Sequence, residues 1–141
     1  MISAVRRLPL SALLAVLALC AAPALAAGGA NRVVGNCTRS QVRPRSIILA
    51  CADDNAYLAK IQWTSFGGQT AAGSGVYAAN TCTPSCVAGK LKSYPITFTA
   101  TDAKPCPGGV DDYRRLSITF TAAPPKSLGA RYYPKLFCPI P

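Results

Sequence analysis

The chain has 141 residues, a formal net charge of +10 and a composition that is half hydrophobic. It contains no histidine, and its five acidic residues are all aspartate. Histidine and glutamate, which often move protons in catalysis near neutral pH, are therefore excluded, as is any metal site with a histidine ligand. The length suits a single domain.

The N-terminal segment has the pattern of a signal peptide. Arg6 and Arg7 precede an apolar run over residues 8–22, and small residues follow at Ala24 and Ala26. The run is shorter than the ~20 apolar residues that span a bilayer. The pattern predicts a signal peptide over residues 1–26, Sec-type export to an extracytoplasmic or secreted location, and cleavage near Ala26. It also predicts no transmembrane segment in the mature chain.

Two alternatives to simple cleavage depend on the same segment. Cys20 is a candidate for lipidation, but the residue before it is Leu19, where lipoprotein processing requires a small side chain. An uncleaved anchor is the other alternative, and the break at Pro23 argues against it. The sequence leaves the lipidation of Cys20 open.

Six cysteines remain after cleavage, an even number that is typical of a disulfide framework in an exported chain. Zinc is disfavoured because there is no Cys-x-x-Cys pair, and the sequence predicts no metal and no cofactor. Six cysteines allow fifteen pairings, which the sequence does not choose between. Spacing favours pairing neighbours in the chain: Cys37–Cys51, Cys82–Cys86 and Cys106–Cys138.

The first half of the mature chain predicts a flexible leader and three strands. Residues 27–36 are small and turn-prone, and an apolar run over residues 46–51 predicts a buried strand. Alternation predicts that the next strand has one face formed by Tyr57, Ala59, Ile61 and Trp63. Residues 70–80 predict a weaker strand, in which the glycines let backbone or a ring pack closely.

The second half alternates more clearly, and no helical stripe is present. Residues 96–101 and 115–121 predict strands with one wet face, and residues 131–138 predict an edge strand because they contain Pro134. The predicted fold over residues 37–141 is therefore a single all-β domain. We expect a disulfide-stapled antiparallel sandwich or partly open barrel of six or seven short strands.

Three segments carry a resemblance to a known group of proteins. They are Arg43-Pro44-Arg45 running on to Ala50-Cys51-Ala52-Asp53, then Ile61-Gln62-Trp63, and then Asn80-Thr81-Cys82 with Cys86. This pattern resembles small secreted actinobacterial proteins of unassigned function. The resemblance implies export and disulfides, and it supplies no reaction and no catalytic residue.

Two aspartate pairs are the strongest candidates for chemistry. Asp53-Asp54 and Asp111-Asp112 have the residue type of a paired-carboxylate hydrolase, and they also suit a calcium site. Both pairs fall where turns are expected, so solvated turns or strand caps are the favoured interpretation. The sequence thus names no catalytic residue and favours a binding protein over an enzyme.

Aromatic and basic side chains are the candidates for ligand contact. Aromatic rings in alternating strands are more often core than sugar platforms, and adjacent tyrosines must point to opposite faces of a strand. The basic residues fall in several small groups, and no nucleic-acid motif is present. Alternation predicts that Lys90 and Lys92 share one wet face and that Arg114 and Arg115 are separated, so no single dense patch is predicted. The candidate contacts are Trp63, Tyr132, Tyr133, Arg114 and Arg115.

Two functions from different classes remain. The first is a secreted, non-enzymatic binding protein that engages an anionic cell-wall polymer or another secreted protein through its loops and a basic face. The second is a small secreted inhibitor or toxin-like effector that uses an exposed loop such as residues 83–87. The sequence names neither the ligand nor the partner.

Overall fold

The computed structural model describes residues 32–140; the predicted signal peptide, Cys20 and residues 27–31 of the leader lie outside them. This part of the chain forms strands and no helix, so no helix here is long and apolar enough to cross a membrane. The strands are β1 (Val33–Asn36), β2 (Arg39–Gln41), β3 (Ile47–Ile48), β4 (Ala56–Ser65), β5 (Ala71–Asn80), β6 (Leu91–Pro105), β7 (Asp111–Phe120) and β8 (Arg131–Tyr132).

All eight strands belong to one sheet; seven follow the order β2-β1-β7-β6-β5-β4-β3, and the eighth, β8, pairs with β7 off this path. Every pairing is antiparallel except that of β1 with β7, which is parallel. β1 pairs with the beginning of β7 at Tyr113, and β8 pairs with its end at Ile118. The segment predicted as an edge strand thus contributes a short strand at this position.

Side chains, rather than a strand ladder, join the two ends of the sheet. The Asn36 Oδ1 atom of β1 accepts a hydrogen bond of 3.1 Å from the backbone N–H of Ile48 in β3. The Cys37–Cys51 disulfide links the segments that follow these two strands. The sheet is therefore curled but not closed into a barrel, and the predicted disulfide-stapled, all-β fold is confirmed in its partly open form.

The clearest predicted alternation is confirmed in β6 and β7. Ile96, Phe98 and Ala100 are buried, whereas Thr97 and Thr99 between them are exposed. The inward residues of β7 are likewise buried, and both strands contribute to one core. That core also contains Val34, Ile47, Leu58, Ile61, Ala71, Tyr77, Tyr113, Leu116, Ile118, Phe120 and Leu136.

The predicted alternation in β4 is wrong because the strand contains a bulge. The register shifts between Ala59 and Gln62, and Lys60 has a positive φ of 52°. A bulge adds one residue on one strand, which moves the following side chains to the other face. Leu58 and Ile61 are consequently both buried, although strict alternation places them on opposite faces.

Four further predictions can be compared with the structure of residues 32–140. All three disulfides favoured by spacing are present. The close approach expected at the glycines of β5 is also present, since a Cβ atom on Gly73 would lie 2.9 Å from the Phe98 ring. The predicted leader is too long, because Val33–Asn36 forms β1, where Val34 is fully buried. The count over residues 32–140 is eight rather than six or seven strands, and the strands that the sequence did not predict are β1 and β2, of four and three residues.

Candidate functional site

A cavity of about 590 Å³ opens where β5 ends and β6 begins. Its volume falls within the range of about 300–1,000 Å³ that is usual for small-ligand sites. We call it the lysine–tyrosine pocket. It is lined by Tyr77, Ala79, Asn80, Thr81, Thr83, Ala88, Lys90, Lys92, Tyr94, Pro125, Lys126 and Ser127.

Aromatic rings at the edge of the core form one side of this pocket. Tyr77 of β5 lies directly opposite Tyr94 of β6, and their ring centroids are 6.4 Å apart. Tyr77 also packs edge-to-face on Phe120 at 5.6 Å and on Tyr132 at 6.0 Å. Burial raises the pKa of Tyr77, and the neighbouring Tyr132 and Tyr94 raise it further. Its hydroxyl therefore stays protonated at neutral pH and is able to donate a hydrogen bond.

The first lysine, Lys92, lines the pocket because β6 extends beyond the core. Lys92 and Tyr94 have the same strand parity as the buried Ile96, so their side chains leave the same face of the sheet. Lys92 lies opposite Ala79 of β5, where no large side chain covers it. A cation thus occupies the position that a core residue would take further along the strand.

A loop braced by hydrogen bonds positions Lys90. Thr81 and Lys90 are joined through their backbones at 3.0 Å, and the Asn80 side chain binds the backbone of Cys82 and Cys86. Gly89 is required here, since a Cβ atom on it would lie 2.0 Å from Asn80 Oδ1. This is the loop named in the inhibitor hypothesis; Val87 at its tip is 99% exposed.

The third lysine comes from the segment that follows β7. The backbone N–H of Leu128 donates to the carbonyl of Pro125 at 2.9 Å, which closes a turn around the exposed Lys126. Pro125 itself is buried, so the turn is anchored to the body of the domain. Within residues 32–140, no aspartate lines the pocket. Three cations, two from the start of β6 and the loop before it and one from the turn after β7, therefore line one cavity without a lining carboxylate.

This arrangement suits the binding of anions. Because Lys90, Lys92 and Lys126 line one cavity, an anion bound there is attracted by all three positive charges. Lysine ammonium groups offer three donors each, and the tyrosine hydroxyls add further donors. The pocket thus has the charge and the hydrogen-bonding capacity to take phosphate or carboxylate groups.

The aromatic contacts predicted from the sequence divide between core and surface. Trp63 is half-buried, packs edge-to-face on Phe66 and Phe98, and donates its indole N–H to the carbonyl of Pro44 at 2.9 Å. Tyr132 packs against the core, whereas Tyr133 is 62% exposed. The two adjacent tyrosines therefore point to opposite faces, in agreement with strand geometry.

The two predicted arginines also differ. The Arg114 Nε atom donates to the carbonyl of Leu136 at 3.2 Å, and its Nη1 atom lies 2.7 Å from Cys138 Sγ. This guanidinium therefore holds the C-terminal segment in place. Arg115 is exposed, and its Nε atom lies 3.5 Å from Asp102 Oδ2.

The aspartate pairs occupy separate places in the fold. Asp53 lies in the turn before β4, where its carboxylate accepts hydrogen bonds from Asn55. Asp111 and Asp112 begin β7, and Asp112 is fully buried beside the Ser40 hydroxyl that donates to it. Within residues 32–140, no group of three histidine, cysteine or acidic side chains is placed to hold a metal ion.

Asp112 gives the fold a specific pH dependence. Burial raises its pKa and Asp111 adds to this, while the Ser40 hydrogen bond and the Arg114 charge act in the opposite direction. The folded protein thus holds this proton at pH values where the unfolded chain has lost it. We expect the free energy of unfolding to decrease as the pH rises from the ordinary aspartate pKa of about 4 through the folded value.

Asp112→Asn removes this contribution. Urea unfolding at pH 4, 5.5 and 7 is expected to show that the stability of the variant relative to the wild type increases with pH. Asp54→Asn is the control, because Asp54 is exposed and asparagine tolerates its positive φ of 53°. Parallel pH profiles for wild type and Asp112→Asn would contradict the expectation.

The sequence pattern paired Lys90 with Lys92 but did not predict the pocket that they line. Their spacing of two residues predicts one shared wet face; in the structure both lysines are exposed and both line the pocket, but only Lys92 belongs to β6. The sequence did not show that the face carrying Lys92 is the same face of β6 that is buried further along the strand, at Ile96. Lys126 comes from a distant segment, and its position gives no sequence signal.

No protein-family model, curated protein or solved structure matches the chain. The residues and contacts of the chain itself therefore carry the functional inference.

Proposed function

We propose that this protein is an exported, non-enzymatic binding protein that takes phosphate or carboxylate groups of an anionic cell-envelope polymer in the lysine–tyrosine pocket. The observation that carries this proposal is the convergence of Lys90, Lys92 and Lys126 in one cavity that no aspartate lines. Three disulfides support export, since such bonds persist in oxidising compartments.

A polymer suits the pocket better than a single small anion. Single exposed ion pairs contribute only about 0–1 kcal/mol, so useful affinity requires several charges to be engaged together. A repeating polyanion presents such charges at a high local concentration. The strongly basic chain also attracts such a polymer over longer distances.

The test replaces all three pocket lysines by glutamine and measures binding to poly(glycerol phosphate) and to oligogalacturonate. These polymers separate phosphate from carboxylate as the source of the charge. We expect binding to weaken, and the slope of log affinity against log salt to decrease by about two to three, because three cations no longer displace counterions. Retention of the wild type on anionic cell-wall material should disappear at high salt.

Lys60→Gln is the matched control, because Lys60 is an exposed lysine of β4 that does not line the pocket. It removes one of the same charges and should leave most of the binding intact. Salt-insensitive binding by the wild type, or equal losses from an equal number of substitutions outside the pocket, would overturn the proposal.

A further inference from the structure

The C-terminal segment presents a row of exposed side chains on the surface. Tyr133 is 62% exposed and Phe137 is 67% exposed, and the exposed Lys135 lies between them in sequence. The intervening Pro134 and Leu136 are buried. In an extended segment, alternate residues share a face at a spacing of about 6.6–6.8 Å. We call Tyr133, Lys135 and Phe137 the aromatic row.

The aromatic row is held rigidly against β7. The backbone N–H of Leu116 donates to the carbonyl of Pro134 at 3.1 Å, and that of Leu136 donates to Arg114 at 2.8 Å. The Cys106–Cys138 disulfide fastens the segment immediately after Phe137. A ligand that meets this row therefore does not have to order it first, which lowers the entropic cost of binding.

Two adjoining clefts of about 320 and 480 Å³ flank the aromatic row, and Arg115 and Lys135 line both of them. The smaller cleft is also lined by Lys104 and Phe137, and the larger one by Tyr133. Asp102 lies in the smaller cleft, 3.2 Å from Lys104 Nζ and 3.5 Å from Arg115 Nε. Rings, cations and one carboxylate thus share a continuous surface.

This combination favours a sugar chain that carries acidic groups. Exposed aromatic rings pack against the apolar faces of sugar rings, and arginine and lysine pair with carboxylates. Asp102 accepts hydrogen bonds from sugar hydroxyls. Lys104, Arg115 and Lys135 are placed to pair with the acidic groups of the same sugar chain. The exposed rings are what distinguish a sugar ring from a polyol phosphate, which has none.

We propose that the aromatic row, with Arg115, Lys104 and Asp102, is a second binding site, for the rings of an acidic polysaccharide. The inference extends the proposed function, because it names the polymer as a glycan. It concerns different residues from those of the lysine–tyrosine pocket, so the two are tested separately.

The experiment uses the disulfide-bonded protein and titrates it with oligogalacturonate, poly(glycerol phosphate) and single-stranded oligothymidylate. The variant Tyr133→Ala with Phe137→Ala removes both rings and keeps every charge. We expect its Kd for oligogalacturonate to rise by about tenfold or more, because two contacts between protein rings and sugar rings are lost. Its Kd for poly(glycerol phosphate), which has no rings, should not change.

Ile140→Ala is the control, because Ile140 is a 66% exposed apolar residue of the same segment outside the row. Thermal unfolding of each variant checks that the fold is intact, and Lys135→Gln tests the cation between the rings without removing a ring. Unchanged oligogalacturonate binding in the ring variant would overturn the inference. So would ring-dependent binding of oligothymidylate in place of oligogalacturonate.

The possible failures are distinguishable. If the ring variant binds oligogalacturonate with the wild-type Kd while the triple lysine variant loses affinity for both polymers, the proposal of a second site is wrong and the proposed function stands. If the triple lysine variant binds both polymers with the wild-type Kd and the ring variant loses affinity for oligogalacturonate, the lysine–tyrosine pocket is not the binding site and the second site stands.

Discussion

Replacing Leu58 by alanine is expected to lower the free energy of unfolding by about 2–5 kcal/mol, the range for large-to-small substitutions in a packed core. Leu58 is fully buried and belongs to the hydrophobic core formed by residues 32–140. It reaches the core because the bulge at Lys60 lets both Leu58 and Ile61 face inward. Urea or thermal unfolding of the purified variant measures the effect.

Leu91→Ala is the matched control for this prediction. It makes the same chemical change at the start of β6, where the side chain is 55% exposed. We expect a change within about 0.5 kcal/mol, as for most surface substitutions. Equal effects at the two positions would contradict the burial of Leu58 in the core.

The sequence predicted the parts of this fold that depend on local periodicity. The regular alternation over Ile96–Ala100 and Leu116–Phe120 placed the correct side chains in the core, since a strand has a strict period of two. The three disulfides match the pairing that spacing favoured among the fifteen possible ones, because each bond joins cysteines that are neighbours along the chain.

The features that the sequence did not reveal depend on contacts between distant segments. The bulge at Lys60 is one, because it is accommodated by the close approach of Gly75, where a Cβ atom would lie 2.7 Å from the Ala59 carbonyl. β1 is another, since its parallel pairing with β7 joins residues about eighty positions apart, such as Val34 and Tyr113.

The candidate site could be predicted only in part for the same reason. The alternation showed that Lys90 and Lys92 share a face, but only the register of β5 with β6 places them beside Tyr77 and Tyr94. The aromatic row likewise needs the bonds between β7 and the C-terminal segment. Both sites lie where regular strands extend past the core or where an irregular segment covers an edge, as is common for binding sites.

Replacing Cys106 and Cys138 together by serine is expected to lower the free energy of unfolding by about 3–4 kcal/mol. The bond joins cysteines 32 residues apart, and its removal restores the conformational entropy of that long loop in the unfolded chain. A small domain has a total stability of only about 5–15 kcal/mol, so this loss is large. The bond also fastens the end of the aromatic row. Relative to the wild type, the variant should therefore lose more affinity for oligogalacturonate than for poly(glycerol phosphate).

Replacing Cys82 and Cys86 by serine is the complementary control. These cysteines are only 4 residues apart, and the entropic contribution of so short a loop is about 2 kcal/mol. Their bond braces the loop that carries Lys90, so its loss should weaken poly(glycerol phosphate) binding in particular. Equal losses of stability in the two variants would contradict the loop-length explanation. If each variant lost affinity for the two polymers to the same extent, the disulfides would not hold the two sites separately.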